Sequence, residues 1–367
     1  MGPHLDGWLL GGASVVAFFA LRLLDPGAQS VAVLAVVMMA LANLVNHPHF
    51  AHSYQMFYGA YDEVRRGRFP PSLRWRWWWA AAVAPAALAA FLGVAAWRAS
   101  VGDLTWMAVG INVMGALVGW HYVKQGFGMV MTDAALKRTY WPQKVRVALL
   151  ANAYACWAAA WVGLNSTKAA AMYWGFFSLE VPIPRAAIGV AWGVCGVTTC
   201  VTAVMVSRAL DCFRRLDLSK PLPYYLLLAY FVSLYLWTVF AWADPAFLLM
   251  IPFFHSLQYL TVVWRYKLNE WSSEPTTLPV RRRAASFLLV GLVLGAAGFW
   301  LLPGAADFAR FGHWPSWMGA PAIGLACAWL FINVHHYLID NVLWRKGNPK
   351  VARYLFGAPT THRRLTT

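Results

Sequence analysis

The stretch Ser30 to Tyr58, SVAVLAVVMMALANLVNHPHFAHSYQMFY, decides the fold class. Its first half is an almost unbroken apolar run. Runs of about 18 or more mainly apolar residues have the length that crosses a bilayer as an α-helix. Its second half crowds His47, His49 and His52 around Pro48. Imidazole is costly in hydrocarbon, and polar groups placed there face a protein interior and serve a function. One segment therefore implies both a membrane helix and a site.

The pattern recurs outward from this segment. Apolar spans are expected at 7–24, 30–58, 77–97, 104–132, 146–163, 186–207, 223–242, 245–264, 284–302 and 318–343. The 367 residues are 60% hydrophobic and only 12% charged, about half the charge share of a soluble domain. The expectation is an all-α, polytopic membrane helical bundle of about ten transmembrane helices. It occupies residues 1–344 as one domain, with a basic tail at 345–367. A continuous helix over 30–58 would be about 44 Å long against a hydrocarbon core of about 30 Å, so its end should project from the membrane.

A net charge of +16 raises the possibility of nucleic acid. Its placement speaks against that. With ten spans, all of the 30 lysines and arginines except Arg22, Arg98, Lys168, Arg185 and Arg310 fall on one side. The positive-inside rule makes that side cytoplasmic and puts both termini there. The expected location is the inner (cytoplasmic) membrane, with anionic lipid as the partner of the charge and no nucleic acid. Cys156, Cys195, Cys200, Cys212 and Cys327 show no CxxC pairing and are read as reduced thiols. The first apolar run lacks a basic leader and is read as a retained helix. Trp75, Trp77, Trp78 and Trp79 read as an interfacial belt.

Seven of the ten histidines lie in membrane-length segments: His47, His49, His52, His121, His255, His335 and His336. Counting back from the first basic residue after each helix puts His52, His255 and His335 at a shared depth, roughly 15–20 Å. His121 departs from this, because Lys124 follows it at once. The lysine must snorkel or enter the same cavity. Imidazole is the commonest nitrogen ligand for iron, copper, zinc and nickel, so all seven are candidate metal ligands.

Each cluster carries a second polar group at helical spacing. His49 and His52 share a face with Gln55. Pro48 can kink the helix and turn His47 toward the others. His121 pairs with Gln125, and His255 with Gln258 and Tyr259. His-Ser-Leu-Gln at 255–258 echoes His-Ser-Tyr-Gln at 52–55, as an internal duplication would. Asn333, His336 and Asp340 form one stripe, and a His–Asp pair one turn apart suits a ligand with its orienting carboxylate. The alternative for Asp340 is an ion pair with Arg345 or Lys124. Asp340, Gln258 and Tyr259 are the candidate catalytic residues, with Tyr122 and Tyr337 as further proton donors. His4, His313 and His362 fall at the terminus, in an outer loop and in the tail.

HPHFAH at 47–52 and HHYLID at 335–340 give the chain an architecture that resembles the histidine-rich integral-membrane oxygenases. These are the membrane fatty-acid desaturases and hydroxylases, the alkane hydroxylases and the bacterial carotene-cleaving dioxygenases. The likeness is one of architecture, since the HxxxH and HxxHH boxes of desaturases are absent. It implies one or two non-haem irons beside a lipid-accessible cavity. It also implies O₂ as co-substrate and a lipid-soluble small molecule (acyl chain, hydrocarbon or isoprenoid) as substrate. No flavin, haem-attachment or iron–sulfur signature is present, so any electron donor is a separate partner. Three other readings stand beside this one: a divalent-metal or proton transporter, a bis-histidine haem protein, and a metal-free acyltransferase.

Overall fold

The computed structural model describes residues 3–24, 27–166, 181–216, 226–241, 244–274, 278–311, 323–345 and 347–357. Lys168, Lys220, His313, Lys346, His362, Arg363 and Arg364 lie outside the described residues, and so does the tail beyond Gly357. Among the described residues the chain is all-α, with no strand. Eight helices are long and apolar enough to cross a membrane, the stretch Gln29–Arg65 counting as one. The chain is an integral membrane protein by that measure.

We number the helices α1 (Leu5–Leu24), α2 (Ala28–Leu44), α3 (Asn46–Tyr58), α4 (Pro71–Ser100), α5 (Thr105–Leu136), α6 (Gln143–Ser166), α7 (Arg185–Leu216), α8 (Leu227–Val239), α9 (Pro245–Ser273), α10 (Val280–Ala309), α11 (Ile323–Leu343) and α12 (Pro349–Tyr354). Two of the ten expected spans fall short of the membrane criterion. In α5, a helix of 32 residues, Asn112, His121, Lys124, Gln125 and Asp133 lower the hydropathy. α8 is apolar but short.

Local chemistry accounts for the helix ends. The Asp244 carboxylate accepts from the amides of Ala246 (3.0 Å) and Phe247 (3.2 Å), and Pro245 follows as the first helical residue of α9. Asp103 does the same for α5, accepting from the Thr105 amide at 3.0 Å. The hydrogen bonds from Thr105, then that from Arg98, hold its carboxyl below the usual carboxylate range.

The expected continuous helix over 30–58 is divided. Val45 leaves helical geometry (φ −125°, ψ −55°) and separates α2 from α3. Pro48 then lies in the first turn of a new helix, where its missing N–H costs nothing, rather than at a kink inside an old one.

α3 packs against α10 and α11. The contact with α10 runs over Gly291 and Gly295, a small-residue seam of the GxxxG type. A Cβ at Gly291 would collide with His52 Cε1, and one at Gly295 would stand 3.0 Å from the His47 carbonyl carbon. Only part of the surface of α10 is covered in this way. Leu289 and Val293 are exposed while Gly291 and Gly295 are buried. His52 is buried and stacked on Phe287, so it has nowhere to retreat. Gly291→Leu is expected to destabilise the protein by about 1–3 kcal/mol through overpacking, read as a lowered midpoint in detergent unfolding.

The Trp75–Trp79 belt is also divided. Trp75, Trp78 and Trp79 are exposed, but Trp77 is buried, stacked on Phe57 at 5.0 Å and donating to the Phe57 carbonyl at 3.3 Å. Away from the histidines, Asn152 on α6 donates to Tyr230 (3.1 Å) and Tyr235 (3.0 Å). Its carbonyl accepts from Thr198 (3.1 Å) and Thr199 (3.0 Å) on α7. This polar knot binds three helices where a hydrophobic drive between them is missing. The five cysteines are free thiols; Cys156 and Cys195 are buried with sulfurs 3.6 Å apart, and Cys200 and Cys212 are exposed.

Candidate metal centre

Four helices bring five side chains into two adjoining buried groups that share His336. α3 supplies His49, α5 supplies His121, α9 supplies His255, and α11 supplies His336 and Asp340. The histidine rings meet edge to face: His49–His336 at 4.6 Å between centroids, His49–His255 at 5.2 Å, His121–His255 at 5.0 Å and His121–His336 at 5.1 Å. One nitrogen each from His49, His255 and His336 lie within 4.8 Å of one another. One atom each from His121, His336 and Asp340 form a second such group. Two nitrogens bound to one ion at about 2.1 Å are at most about 4.2 Å apart, so small rotamer shifts would close the group on an ion.

Hydrogen bonding explains which atoms remain open. His49 Nδ1 lies 3.2 Å from the Asn46 carbonyl and 3.2 Å from Ser256 Oγ. With its proton on Nδ1, His49 presents the Nε2 lone pair to the centre. A backbone carbonyl commonly fixes the tautomer of a metal-binding imidazole in this way. His49 Nε2, His121 Nε2, both ring nitrogens of His255 and of His336, and Asp340 Oδ2 are buried with no hydrogen-bond partner. Each unpaired buried polar atom costs about 1–3 kcal/mol. So many in one place amounts to a set of donors prepared for a cation.

Asp340 is tied down on one side only. Its Oδ1 accepts from Tyr259 Oη at 3.0 Å, while Oδ2 lies 3.4 Å from His336 Nε2 and 4.0 Å from His121 Nε2. Tyr259 in turn accepts from Trp344 Nε1 at 3.2 Å and from Ser53 Oγ at 2.5 Å. Neither basic residue proposed as an ion-pair partner for Asp340 faces it. Arg345 donates to the Asn341 carbonyl at 2.9 Å, and Lys124 lies over the rings of Phe127 and Tyr154.

The other three candidate ligands stand apart. His335 uses both nitrogens, Nδ1 with Tyr54 Oη (2.8 Å) and Nε2 with the Ala80 carbonyl (2.8 Å), and so braces α11 against α3 and α4. His47 stacks on Phe299 at 4.1 Å and shares a hydrogen bond of 3.2 Å with Asn43 Oδ1. His52 faces α10 and bonds Gln55 at 3.2 Å. Replacing His335 by alanine is expected to leave the metal stoichiometry at the wild-type value while costing about 1–3 kcal/mol of stability, measured by metal analysis beside an unfolding titration.

Gln258 is also away from the centre. Its carbonyl accepts from Gln125 Nε2 at 2.7 Å and its amide donates to the Leu10 carbonyl at 2.8 Å, which ties α9 to α5 and α1. The glutamines at 125 and 258 therefore join helices rather than orient ligands. The His-Ser-x-Gln echo does not give matching roles either, since His255 enters the centre and His52 does not. Ser53 and Ser256 are the supports that the sequence reading left without a role, though both stood in that echo.

A cavity of about 360 Å³ adjoins the centre. His255, Tyr122, Tyr337 and Phe50 form the end nearest the histidines. Trp157, Trp237, Trp329, Phe253, Phe299 and the methionines 38, 39 and 114 make most of its wall apolar and aromatic. Asn46, Asn112, Asn165 and Asn333 add polar groups, Asn112 and Asn165 joined to each other by a hydrogen bond. No known protein family, no curated protein and no solved structure matches this chain, so the geometry of the centre is the ground on which its chemistry rests.

Proposed function

We propose that this protein is a membrane-embedded metalloenzyme. It binds one first-row transition metal ion, taken to be non-haem iron, through His49, His121, His255 and His336, with Asp340 as a fifth donor. The observation that carries the reading is the convergence of unpartnered ring nitrogens and one carboxylate oxygen in two adjoining buried groups that share His336. A mostly imidazole set favours late first-row metals over magnesium or calcium. The shared His336 is what would let the two groups serve one ion. The edge-to-face contact of the rings argues against a bis-histidine haem, since a porphyrin needs a flat slot between its ligands.

The reaction proposed is O₂-dependent oxidation of a lipid-soluble substrate at a C–H or C=C bond, chemistry that the ion would supply when bound. The apolar, aromatic cavity would hold an acyl chain, hydrocarbon or isoprenoid with one segment against His255. Tyr259 and Asp340 would hold and return a proton at Oδ1, and a separate donor would supply electrons. α5 and α8 are read as crossing the membrane with the eight apolar helices. That makes ten spans, with both termini on the cytoplasmic side of the inner membrane. The test is metal analysis of detergent-purified protein, followed by O₂ consumption with a panel of acyl and polyene substrates. Tightly bound iron with substrate-dependent O₂ uptake supports the reading; metal-free protein sinks it.

The asparagines at 46, 112, 165 and 333 favour a second reading, transport of a divalent metal through the same cavity. Uptake of ⁵⁵Fe or ⁶⁵Zn into sealed proteoliposomes would establish transport, and its absence would leave the enzyme.

A further inference from the structure

A row of oxidisable rings runs from the centre to the end of the bundle that carries α12. Tyr259 lies 4.6 Å from His49 and 5.9 Å from His336, ring centroid to centroid. Trp344 follows at 5.7 Å, Tyr266 at a further 6.1 Å, and Tyr354 at a further 5.5 Å. Every ring is thus near van der Waals contact with the next. The first and last hydroxyls face carboxylates. Tyr259 donates to Asp340 Oδ1 at 3.0 Å, and Tyr354 donates to Glu274 Oε1 at 3.4 Å. Glu274 has 41% of its side chain exposed, and exposed Arg353 lies over the Tyr354 ring at 5.0 Å. The row therefore begins at the metal donors and ends at water.

Packing alone does not require this composition. Phenylalanine would fill the same apolar cluster without a hydroxyl or indole to satisfy. Phenol and indole differ from phenyl in that a strong oxidant can take one electron from them. Phenol does so most readily where its proton has an acceptor, as Asp340 provides for Tyr259 and Glu274 for Tyr354.

We infer that Tyr259, Trp344, Tyr266 and Tyr354 form a hole-transfer route that drains oxidising equivalents from the metal centre to a one-electron reductant in the aqueous phase. The inference rests on the iron-centred reading above. With hydrogen peroxide as oxidant, two electrons and two protons convert it to two waters. A bound ferrous ion would supply one electron. Tyr259 supplies the other, and its phenolic proton passes to Asp340 Oδ1 and onward to peroxide, with the second proton coming from solvent. Trp344 then refills Tyr259, Tyr266 refills Trp344, and Tyr354 refills Tyr266. Ascorbate, an aqueous one-electron donor, refills Tyr354, and solvent restores the proton. The route protects the centre when no substrate occupies the cavity.

The test uses the full chain in nanodiscs, with iron content measured first. Wild type, Trp344→Phe and Tyr266→Phe are mixed with peroxide and freeze-quenched for electron paramagnetic resonance, with and without ascorbate. Wild type is expected to show an aromatic radical that ascorbate removes quickly. With iron content unchanged, the radical stays on Tyr259 in Trp344→Phe and on the Tyr259–Trp344 pair in Tyr266→Phe. It outlives the wild-type radical in ascorbate by roughly tenfold, equivalent to about 1.4 kcal/mol on the barrier. Deuterated tyrosine separates a tyrosyl from a tryptophanyl radical by its collapsed hyperfine splitting, and Tyr259→Phe assigns the tyrosyl signal. An iron-loaded wild type without any aromatic radical overturns the route and leaves the metal centre intact. So does an iron-loaded variant whose radical decays at the wild-type rate. A wild type that binds no iron overturns the metal centre, and the route falls with it.

Discussion

His336→Ala protein is expected to hold no tightly bound metal, against about one ion per chain in the wild type, as measured by plasma mass spectrometry after detergent purification. His336 belongs to both groups of converging donors. Its ring lies 4.6 Å from His49, 5.1 Å from His121 and 4.7 Å from Phe50. Removing it deletes the shared donor and leaves the neighbouring nitrogens without the geometry to hold an ion. Activity should vanish with the metal. His336 is fully buried, so the truncation also opens a cavity and costs about 2–5 kcal/mol of stability, by analogy with large-to-small core changes. His336→Gln keeps most of the volume and separates the two effects. Folded His336→Gln with wild-type metal content would refute the assignment of His336 as a ligand.

Asp340→Asn is expected to weaken metal binding by about 10–100-fold, the effect typical of changing a carboxylate that supports metal-bound imidazole. The substitution is nearly isosteric. It keeps a carbonyl oxygen for the Tyr259 hydroxyl but removes the negative charge that faces His336 and His121 at 3.4 and 4.0 Å. It can also place an amide N–H against a ring nitrogen that would otherwise bind the ion. Competition with a chromophoric chelator measures the loss directly. An unchanged affinity would mean that Asp340 is held for Tyr259 alone. Tyr259→Phe, measured in parallel, is expected to change affinity much less, because the phenol touches the carboxylate and not the ion.

Much of the fold could be read from the chain. Apolar runs of membrane length place the helices, and Pro245 after Asp244 marks the start of α9. Interruptions within spans were less visible. The division at Val45 cannot be read from an apolar run, because Val45 is itself apolar and Pro48 points to a kink three residues later. Trp77 looks like its neighbours in sequence, yet it faces Phe57 because its helix turns that position inward.

The sequence by itself determined that this is a polytopic membrane protein with histidines buried in four of its helices, because both follow from the identity and spacing of residues along one helix. It also determined the His336–Asp340 pair, since i, i+4 geometry is local. Only the tertiary structure decided which histidines meet. Adjacent residues on a helix point about 100° apart, so His336 enters the centre while His335 reaches Tyr54 and Ala80 on the other side. His49 and His52 share a face by spacing, yet the approach of Gly291 on α10 draws His52 away from the centre. Convergence depends on which helices pack together and how closely. Those choices are made by contacts distant in sequence, such as Ser256 with Asn46 and Tyr259 with Asp340, that no single segment encodes.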